Sequence, residues 1–208
     1  TTPCFAVVCQ TPGLSWTGPC NRVWRFNLVT HTWQEMSPMQ ESRYLMSVTM
    51  LKGYIYAMGG CRDDDGTLLR TAERYQPNIN QWTFIGSMNE GREDASCTTL
   101  NNKIYICGGW SNRSLNTAEY YNPDTNQWTL ITPMGTPRCD LGVVAYMGHI
   151  FAVGGSDGFR DLTLSLSKYI RHFSPIKSNL LRLDVKATLL DGKFFFPPHP
   201  QIRRERVV

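Results

Sequence analysis

The 208-residue chain lacks any apolar stretch of the roughly 18 to 20 residues that a membrane-spanning helix needs. It also lacks a basic segment followed by an apolar one at its start, which is the pattern of a secretory leader. These absences exclude a helical membrane protein and an obvious secretory precursor, so we expect no membrane partner. Because the chain begins with Thr1 rather than Met, we expect it to be a piece of a longer protein or a processed form.

Clusters of cysteine and histidine are missing as well. The seven cysteines include no CxxC pair, and the four histidines stand apart from one another and from any nucleophile motif. The acidic run Asp63 to Asp65 continues without the ligand series of a calcium loop, and no glycine-rich phosphate loop follows a strand. We therefore predict no metal, no cofactor and no enzymatic activity. Cysteines without a disulfide framework favour a reducing compartment, so we expect a cytoplasmic protein.

Basic charge is scarce outside the tail. Residues 1–167 carry 12 Lys or Arg and 14 Asp or Glu, a net charge of −2, whereas residues 168–208 carry 9 and 3, a net charge of +6. A nucleic-acid-binding protein usually gathers its basic residues on the folded body. A basic tail on a slightly acidic body is more typical of a solvated segment, so we expect no nucleic-acid partner.

An internal repeat is the strongest positive signal in the sequence. Three features recur in steps of 49 and 46 residues. They are a tryptophan, a diglycine that ends an apolar run, and an arginine that lies ten residues after the tryptophan. Because several unlike residue types share one period, composition bias does not explain the pattern. The members are Trp33, Trp82 and Trp128; Gly59-Gly60, Gly108-Gly109 and Gly154-Gly155; and Arg43, Arg92 and Arg138.

Each period predicts four short β-strands separated by turns. In the second period, an alternating stretch, a continuous apolar stretch and two further β-forming stretches are bounded by Gly, Asn and Pro. Small four-stranded antiparallel sheets that recur about every 50 residues are typical of propeller blades. The predicted strands of this period are 45–51, 54–58, 71–75 and 81–85.

The repeated glycines and aromatic residues have structural roles in such a blade. Glycines at the end of an inner strand allow positive φ and a close backbone approach that a Cβ would block. The repeated Tyr and Trp side chains are large enough to fill the space between adjacent blades. We predict structural packing for Gly59, Gly60, Tyr75, Trp82, Gly108, Gly109, Tyr121, Trp128, Gly154 and Gly155.

The order of these elements resembles the kelch motif. Over residues 23–160, the repeat begins with an apolar strand that ends in Gly-Gly. It continues with Ala-Glu-x-Tyr (from Ala72 and from Ala118), a turn that contains Asn or Pro, a Trp and a closing Met. The dense form of the motif is similar to the propellers of kelch-like proteins, and the phrases TAERYQPNINQWTFIGSM and IYICGG resemble a male-germ-cell member of that group. The resemblance implies an all-β, incomplete kelch β-propeller with about four blades of four antiparallel strands and a degenerate fifth.

Both ends of the chain depart from the motif. Val8-Cys9 stands where the first diglycine is expected, and no Ala-Glu-x-Tyr phrase follows Arg160. Arg182 and Gly192 keep the ten-residue separation of the complete repeats, but Pro198-His199 occupies the next diglycine position. We predict a partial, degenerate blade (1–39), two blades (40–88 and 89–134), a blade with degenerate outer strands (135–172), and either a diverged fifth blade or an aberrant tail (173–208).

The resemblance implies that loops at one end of the propeller bind a protein substrate. Arginine suits such a site because its planar guanidinium pairs with a carboxylate through two bonds. For the three repeating arginines, a structural role such as pairing with a carboxylate of the blade is an equal alternative. The candidate contacts are Arg43, Tyr44, Arg62, Asp64, Arg92, Asp94, Trp110, Arg113, Arg138, Asp157, Phe159 and Arg160.

The same resemblance implies a function for the parent protein. It would be the substrate-recognition adaptor of a cullin-3 RING ubiquitin ligase, with a role in spermatogenesis, and cullin-3 would bind BTB and BACK regions that are absent from these residues. Two alternatives stay open: an actin-binding cytoskeletal kelch protein, and a kelch-fold copper oxidase, for which the sequence shows no matching set of Tyr and His ligands.

Overall fold

Short β-strands are the regular secondary structure in the part of the chain that the computed structural model describes. That part comprises residues 20–62 and 66–162, together with the backbone of four outlying strands. The strands are β1 (Cys4–Ala6), β2 (Val23–Asn27), β3 (Thr32–Met36), β4 (Ser47–Leu51), β5 (Tyr54–Met58), β6 (Ala72–Gln76), β7 (Gln81–Phe84), β8 (Ser96–Leu100), β9 (Lys103–Cys107), β10 (Ala118–Asn122), β11 (Gln127–Ile131), β12 (Gly142–Tyr146), β13 (His149–Val153), β14 (Ser167–Tyr169), β15 (Thr188–Leu190) and β16 (Lys193–Phe195).

Each strand pairs with its neighbour in sequence, so the chain forms a series of antiparallel sheets. The sheets contain β1 to β3, β4 to β7, β8 to β11, β12 to β14, and the pair β15 and β16. We call the first four sheets blades 1 to 4. The two four-stranded blades lie within the ranges 40–88 and 89–134, and the prediction of an incomplete all-β kelch propeller is confirmed.

The first strands of successive blades lie side by side. β8 contacts both β4 and β12. The Ser47 hydroxyl donates to the carbonyl of Ala95 (2.8 Å), and the N–H of Val143 donates to the Ser96 hydroxyl (3.0 Å). These contacts place the first strands of blades 2, 3 and 4 at the inner edge of the arc, and the last strands of blades 2 and 3 at its outer edge.

Two-residue turns join the first two strands of blades 2, 3 and 4. Both residues of Lys52-Gly53, Asn101-Asn102 and Met147-Gly148 have positive φ, between 48° and 79°. Two successive positive φ values define the type I′ turn, whose twist matches that of the paired strands. Gly and Asn adopt this conformation readily, whereas Lys52 and Met147 adopt it with a Cβ at the first position of their turns.

The hydrophobic core lies between the blades. Alternate residues of a strand point to opposite faces of its sheet, and each face packs on a different neighbouring blade. Equivalent clusters fill the interfaces between blades 1 and 2 and between blades 3 and 4. The cluster between blades 2 and 3 consists of Tyr56, Met58, Ala72, Met88, Ile104, Ile106, Tyr121 and Trp128.

Blade 4 keeps more of the repeat than the sequence suggests. The register of β13 and β14 gives Tyr169 the position of the motif tyrosine, although the Ala-Glu-x-Tyr phrase is absent. In the same register Ser167 takes the position of Glu73 and Glu119. Residues 170–172, the rest of the predicted blade, lie outside the described residues. The pairs that define the register are Ile55↔Tyr75, Ile104↔Tyr121 and Ile150↔Tyr169.

The hairpin of β15 and β16 has the register of the first hairpin of a blade. A two-residue connection separates its last pair, as it does in the complete blades. The interpretation of this segment as either a diverged fifth blade or an aberrant tail stays a prediction. The expected diglycine positions Val8-Cys9 and Pro198-His199 lie outside the described residues. The corresponding pairs are Leu51↔Tyr54, Leu100↔Lys103 and Leu190↔Lys193.

Candidate partner-binding rim

Two sets of loops meet at the end of the blades opposite the type I′ turns. One set follows the diglycines, and the other leads into the first strand of each blade. Isolated backbone bridges join the two sets in blades 2, 3 and 4, through Tyr44 and Cys61, Glu93 and Trp110, and Cys139 and Ser156. We call this end the binding rim; its described residues are 41–46, 60–62, 66–70, 90–95, 109–115, 137–141 and 155–162.

The diglycines bring the loops of one blade against the next blade. The N–H of Gly60 donates to the carbonyl of Arg92 (2.8 Å), and the N–H of Gly109 donates to the carbonyl of Arg138 (2.7 Å). A Cβ on Gly59, where φ is +64°, would lie 2.5 Å from the Arg92 carbonyl oxygen, which is closer than Cβ atoms come in real structures. The structure thus shows the close backbone approach that the glycine pairs suggested.

The three repeating arginines lie inside the blades. Arg43, Arg92 and Arg138 are 0%, 1% and 0% exposed. A buried guanidinium has no access to a partner at the rim, so the placement of these three residues among the partner contacts is wrong. The structural alternative that the sequence left open is the one the structure shows.

A buried ion pair occupies the same place in blades 2 and 3. Arg43 Nη2 lies 2.8 Å from Glu73 Oε1, Arg92 Nη2 lies 3.1 Å from Glu119 Oε1, and all four side chains are fully buried. Each Nη1 also donates to the carbonyl of the first glycine of the diglycine: Arg43 to Gly59 at 3.0 Å and Arg92 to Gly108 at 2.6 Å. Because a buried charge requires a partner and further hydrogen bonds, these contacts fix the loops to the blade.

Glu73 and Glu119 also hold the loops that lead into the blades. Glu73 accepts the backbone N–H of Gln40 at 2.7 Å, and Glu119 accepts that of Asn89 at 2.8 Å. The sequence analysis included both glutamates in the Ala-Glu-x-Tyr phrase but assigned them no role. Their signal is a constant position nine residues before Trp82 and Trp128.

A tryptophan and a nearby asparagine of one blade both form hydrogen bonds with the preceding blade. Trp82 Nε1 donates to the carbonyl of Ser37 in blade 1 (3.0 Å). Asn80 Oδ1 accepts both the N–H of Ser37 (3.0 Å) and the hydroxyl of Tyr75 (2.8 Å). The asparagine, which the sequence analysis overlooked, recurs two residues before each buried tryptophan. The same three bonds in blade 3 involve Trp128, Asn126, Tyr121 and Gly86.

Blade 2 contributes a neutralised part of the rim. Arg62 is exposed, and its Nε and Nη2 donate to Glu41 Oε1 at 3.0 and 2.5 Å. Burial is the largest single influence on the pKa of Glu41 and raises it, but hydrogen bonds from Thr71 and Arg62 and the charge of Arg43 hold the pKa below its ordinary value. Tyr44 is half-buried beside this cluster. Asp64 lies outside the described residues.

Two aspartates lie at the inner edge of the rim. The N–H of Asp94 donates to the carbonyl of Leu45 (3.0 Å), and the N–H of Asp140 donates to the carbonyl of Asp94 (3.1 Å). All three residues have positive φ, between 49° and 54°. Asp94 is half-buried and Asp140 is exposed. The backbone chain therefore presents carboxylates next to the inner strands.

A closed turn in blade 4 carries two exposed candidate contacts. Asp157 Oδ1 accepts the N–H of Phe159 (2.9 Å) and of Arg160 (2.8 Å), and these bonds hold the pKa of Asp157 below its ordinary value. The N–H of Asp157 in turn donates to the carbonyl of Arg160 (3.2 Å). Phe159 is 95% exposed at the tip of this turn.

The loop of blade 3 lies against that turn. A Cβ on Gly158 would lie 3.4 Å from both Trp110 Cζ3 and Ser114 Oγ, and Ser114 Oγ donates to the carbonyl of Ser156 (3.4 Å). Trp110 is half-buried and Arg113 is exposed. The structure thus gathers four predicted contacts on two adjacent loops: Trp110, Arg113, Phe159 and Arg160.

Three of the described thiols are held in the protonated form, which is a poor nucleophile. Burial, assisted by a hydrogen bond to Glu93, raises the pKa of Cys61 to about 12. Burial also raises the pKa of Cys97 and of Cys107 to about 12. Within residues 20–62 and 66–162, no group of three His, Cys, Asp or Glu side chains is arranged to hold a metal ion. Over the described part of the chain, no helix has the length and hydropathy to cross a membrane.

Comparison with known proteins assigns the repeat. The sequence profile of the KLHDC2/KLHL20/DRC7 Kelch-repeats domain matches residues 14–155. The chain belongs to the kelch-repeat family.

Similar proteins include Kelch domain-containing protein 7A of Mus musculus, 35% identical over 103 residues (49% of this chain, 12% of the relative). Kelch-like protein 23 of Homo sapiens is 32% identical over 113 residues (50% and 20%), and Kelch-like protein 26 of Danio rerio is 37% identical over 81 residues (38% and 13%). The matched segments cover a fifth or less of these relatives.

Proposed function

We propose that this kelch propeller segment is the substrate-recognition part of a cytoplasmic cullin-3 RING ubiquitin ligase adaptor with a role in spermatogenesis. The kelch domain is a protein-binding module, and its rim presents side chains on loops that are held to the blades. The observation that carries the proposal is that the scaffold and the exposed rim surface use different side chains. The repeating arginines are buried in the scaffold, whereas Arg113, Phe159 and Arg160 occur once and are exposed.

The proposed mechanism is proximity. The rim would hold a protein substrate while BTB and BACK regions, which are not part of these 208 residues, dock cullin-3. Loops fixed on a rigid scaffold bind with little loss of conformational entropy. The propeller itself would perform no chemistry, and the 208-residue chain alone would bind the substrate without recruiting the ligase.

Affinity purification of the full-length parent and of the 208-residue chain from testis lysate, followed by quantitative mass spectrometry, tests this proposal. We expect cullin-3 with the parent only, and one further protein retained by both forms. A parent that recovers no cullin-3 would overturn the adaptor role. Recovery of actin without cullin-3, supported by co-sedimentation with filaments, would favour the cytoskeletal alternative.

A further inference from the structure

We infer that Trp110, Arg113, Phe159 and Arg160 form the anchor of the binding rim, and that the anchor binds a peptide segment in which apolar side chains alternate with Asp or Glu. This inference rests on the proposed function and names the chemistry of its substrate. We call these four residues the rim anchor. They lie on two loops that contact each other through Gly158 and Trp110.

Phe159 is the apolar element of the rim anchor. At 95% exposure it is the most exposed large hydrophobic side chain among the described residues, and it contributes nothing to the packing of the blades. Its backbone is held by the side chain of Asp157, so little conformational entropy is lost when a partner covers the ring. Aromatic side chains in fixed positions of this kind carry much of the binding energy of interfaces.

Arg113 and Arg160 supply the charge of the rim anchor. Both are exposed, and neither forms an ion pair within the described part of the chain. The charge of Arg160 also acts on the carboxylate of Asp157 in the same turn, without an ion pair, and that carboxylate already accepts two backbone N–H groups. Because a guanidinium pairs best with a carboxylate, the complement of this surface is an apolar side chain flanked by acidic ones.

The surrounding charges argue against a nucleic-acid partner. Asp94 and Asp140 lie at the inner edge of the same rim, and Arg62 is paired with Glu41. A phosphate backbone needs a continuous basic surface. A short acidic and apolar peptide can instead contact the two outer arginines and avoid the inner aspartates.

A phage-displayed library of random 12-residue peptides, selected on the 208-residue chain, tests the inference. We expect enrichment of peptides with Asp or Glu next to Phe, Leu, Ile or Trp. Phe159→Ala should weaken binding of the best peptide about tenfold. Arg113→Ala and Arg160→Ala should each weaken it several-fold and reduce its dependence on salt.

Two control variants remove an aromatic side chain and a cation outside the rim anchor; Phe84 is 50% exposed, against 95% for Phe159. Phe84→Ala removes an exposed phenylalanine of β7, and Lys52→Ala removes an exposed cation from the type I′ turn at the opposite end of blade 2. Both should bind the peptide as the unmodified chain does, and all variants should unfold at the same temperature. Enrichment of neutral or basic peptides, no enrichment, or equal binding by Phe159→Ala would each overturn the inference.

The outcomes also separate this inference from the adaptor role. If the parent recovers no cullin-3 but the chain selects acidic, apolar peptides that Phe159→Ala loses, the inference stands and the adaptor role fails. If the parent recovers cullin-3 and the selected peptides ignore the rim variants, the adaptor role stands and the inference fails.

Discussion

Blades 2 and 3 bury a tryptophan that blade 1 leaves exposed. Trp82 and Trp128 are 4% and 9% exposed because the preceding blade covers them, whereas Trp33 is 44% exposed. The register is identical: Trp33 pairs with Phe26 across β2 and β3, as Trp82 pairs with Tyr75 across β6 and β7. Because the register is the same and a preceding blade covers only Trp82 and Trp128 among the described residues, the motif tryptophan owes its burial to the interface between blades.

The diglycine shows the same dependence at the other end of the arc. A Cβ on Gly59 would lie 2.5 Å from a carbonyl oxygen of the next blade, whereas the nearest described atom to a Cβ on Gly154 is the Leu162 carbonyl oxygen at 4.0 Å. The motif therefore describes how a blade meets its neighbours as much as how it folds, and substitutions at equivalent positions should have unequal costs.

The largest effect is expected at the buried glutamate of a complete blade. Glu73→Ala should cost about 3 to 5 kcal/mol of unfolding free energy. It removes the fully buried partner of Arg43, which keeps only Glu41 at 3.2 Å, and it removes the acceptor of the Gln40 N–H. Urea denaturation of the 208-residue chain, followed by circular dichroism, measures this. Glu35→Ala, which removes an exposed carboxylate from its pair with Arg22, is the control and should change nothing measurable. Equal effects of the two substitutions would contradict the buried role.

The tryptophan comparison predicts the next effect. Trp82→Ala should cost about 3 kcal/mol, since it removes a buried indole and its hydrogen bond to Ser37. Trp33→Ala should cost about 1 kcal/mol, because much of that ring is already in water. Thermal unfolding of both variants gives the difference. A cost for Trp33→Ala as large as that for Trp82→Ala would show that the motif tryptophan stabilises its own blade.

The glycine comparison predicts a smaller difference. Gly154→Ala should cost about 1 to 2 kcal/mol, the penalty of a positive φ for a residue with a Cβ. Gly59→Ala adds a clash with the backbone of blade 3, so it should cost about 1 to 3 kcal/mol more. Denaturant midpoints of the two variants check this, and a lower cost at Gly59 would be the contrary result.

Thiol ionisation gives an effect that is absent at neutral pH and appears only in alkali. Because burial holds the pKa of Cys97 and Cys107 at about 12 in the folded chain, only the unfolded state loses these protons as the pH rises above roughly 8.5. Stability contributed by the neutral thiols is therefore complete below that pH and falls as the pH rises towards 12. Replacing both cysteines with Ala should flatten this alkaline decline. In the unmodified chain, maleimide labelling of the fully buried Cys107 at pH 8 should require unfolding.

Part of this architecture could be predicted from the sequence, and the reasons are physical. Gly59, Trp82 and the type I′ turn residues Lys52-Gly53 are demanded by local backbone geometry or by size, so their spacing predicts strands and blades. The role of Arg43 could not be resolved, because a guanidinium serves equally well in a buried pair and at a binding surface. Only its position relative to Glu73, some 30 residues away, decides between the two.

At the binding rim, too, some residues could be selected from the sequence and others could not. Phe159 and Arg160 lie in the variable stretch after the third diglycine, and sequence reasoning selected them as projecting side chains of that stretch. The Asp157 side chain that closes their turn was counted as a partner contact, whereas the structure uses its carboxylate for two backbone N–H groups. Asn80 was missed, since one asparagine near a turn has many equivalent uses. Tyr169 was missed because its neighbours diverge and only strand register reveals it.

A double-mutant cycle on blade 3 tests most directly the claim that the repeating arginine and glutamate form one buried unit. Arg92→Met, Glu119→Leu and the double variant would be compared by urea denaturation. We predict that each single substitution costs about 3 kcal/mol or more and that the double variant recovers about 2 to 3 kcal/mol of their sum. Costs that add within about 0.5 kcal/mol would contradict the account.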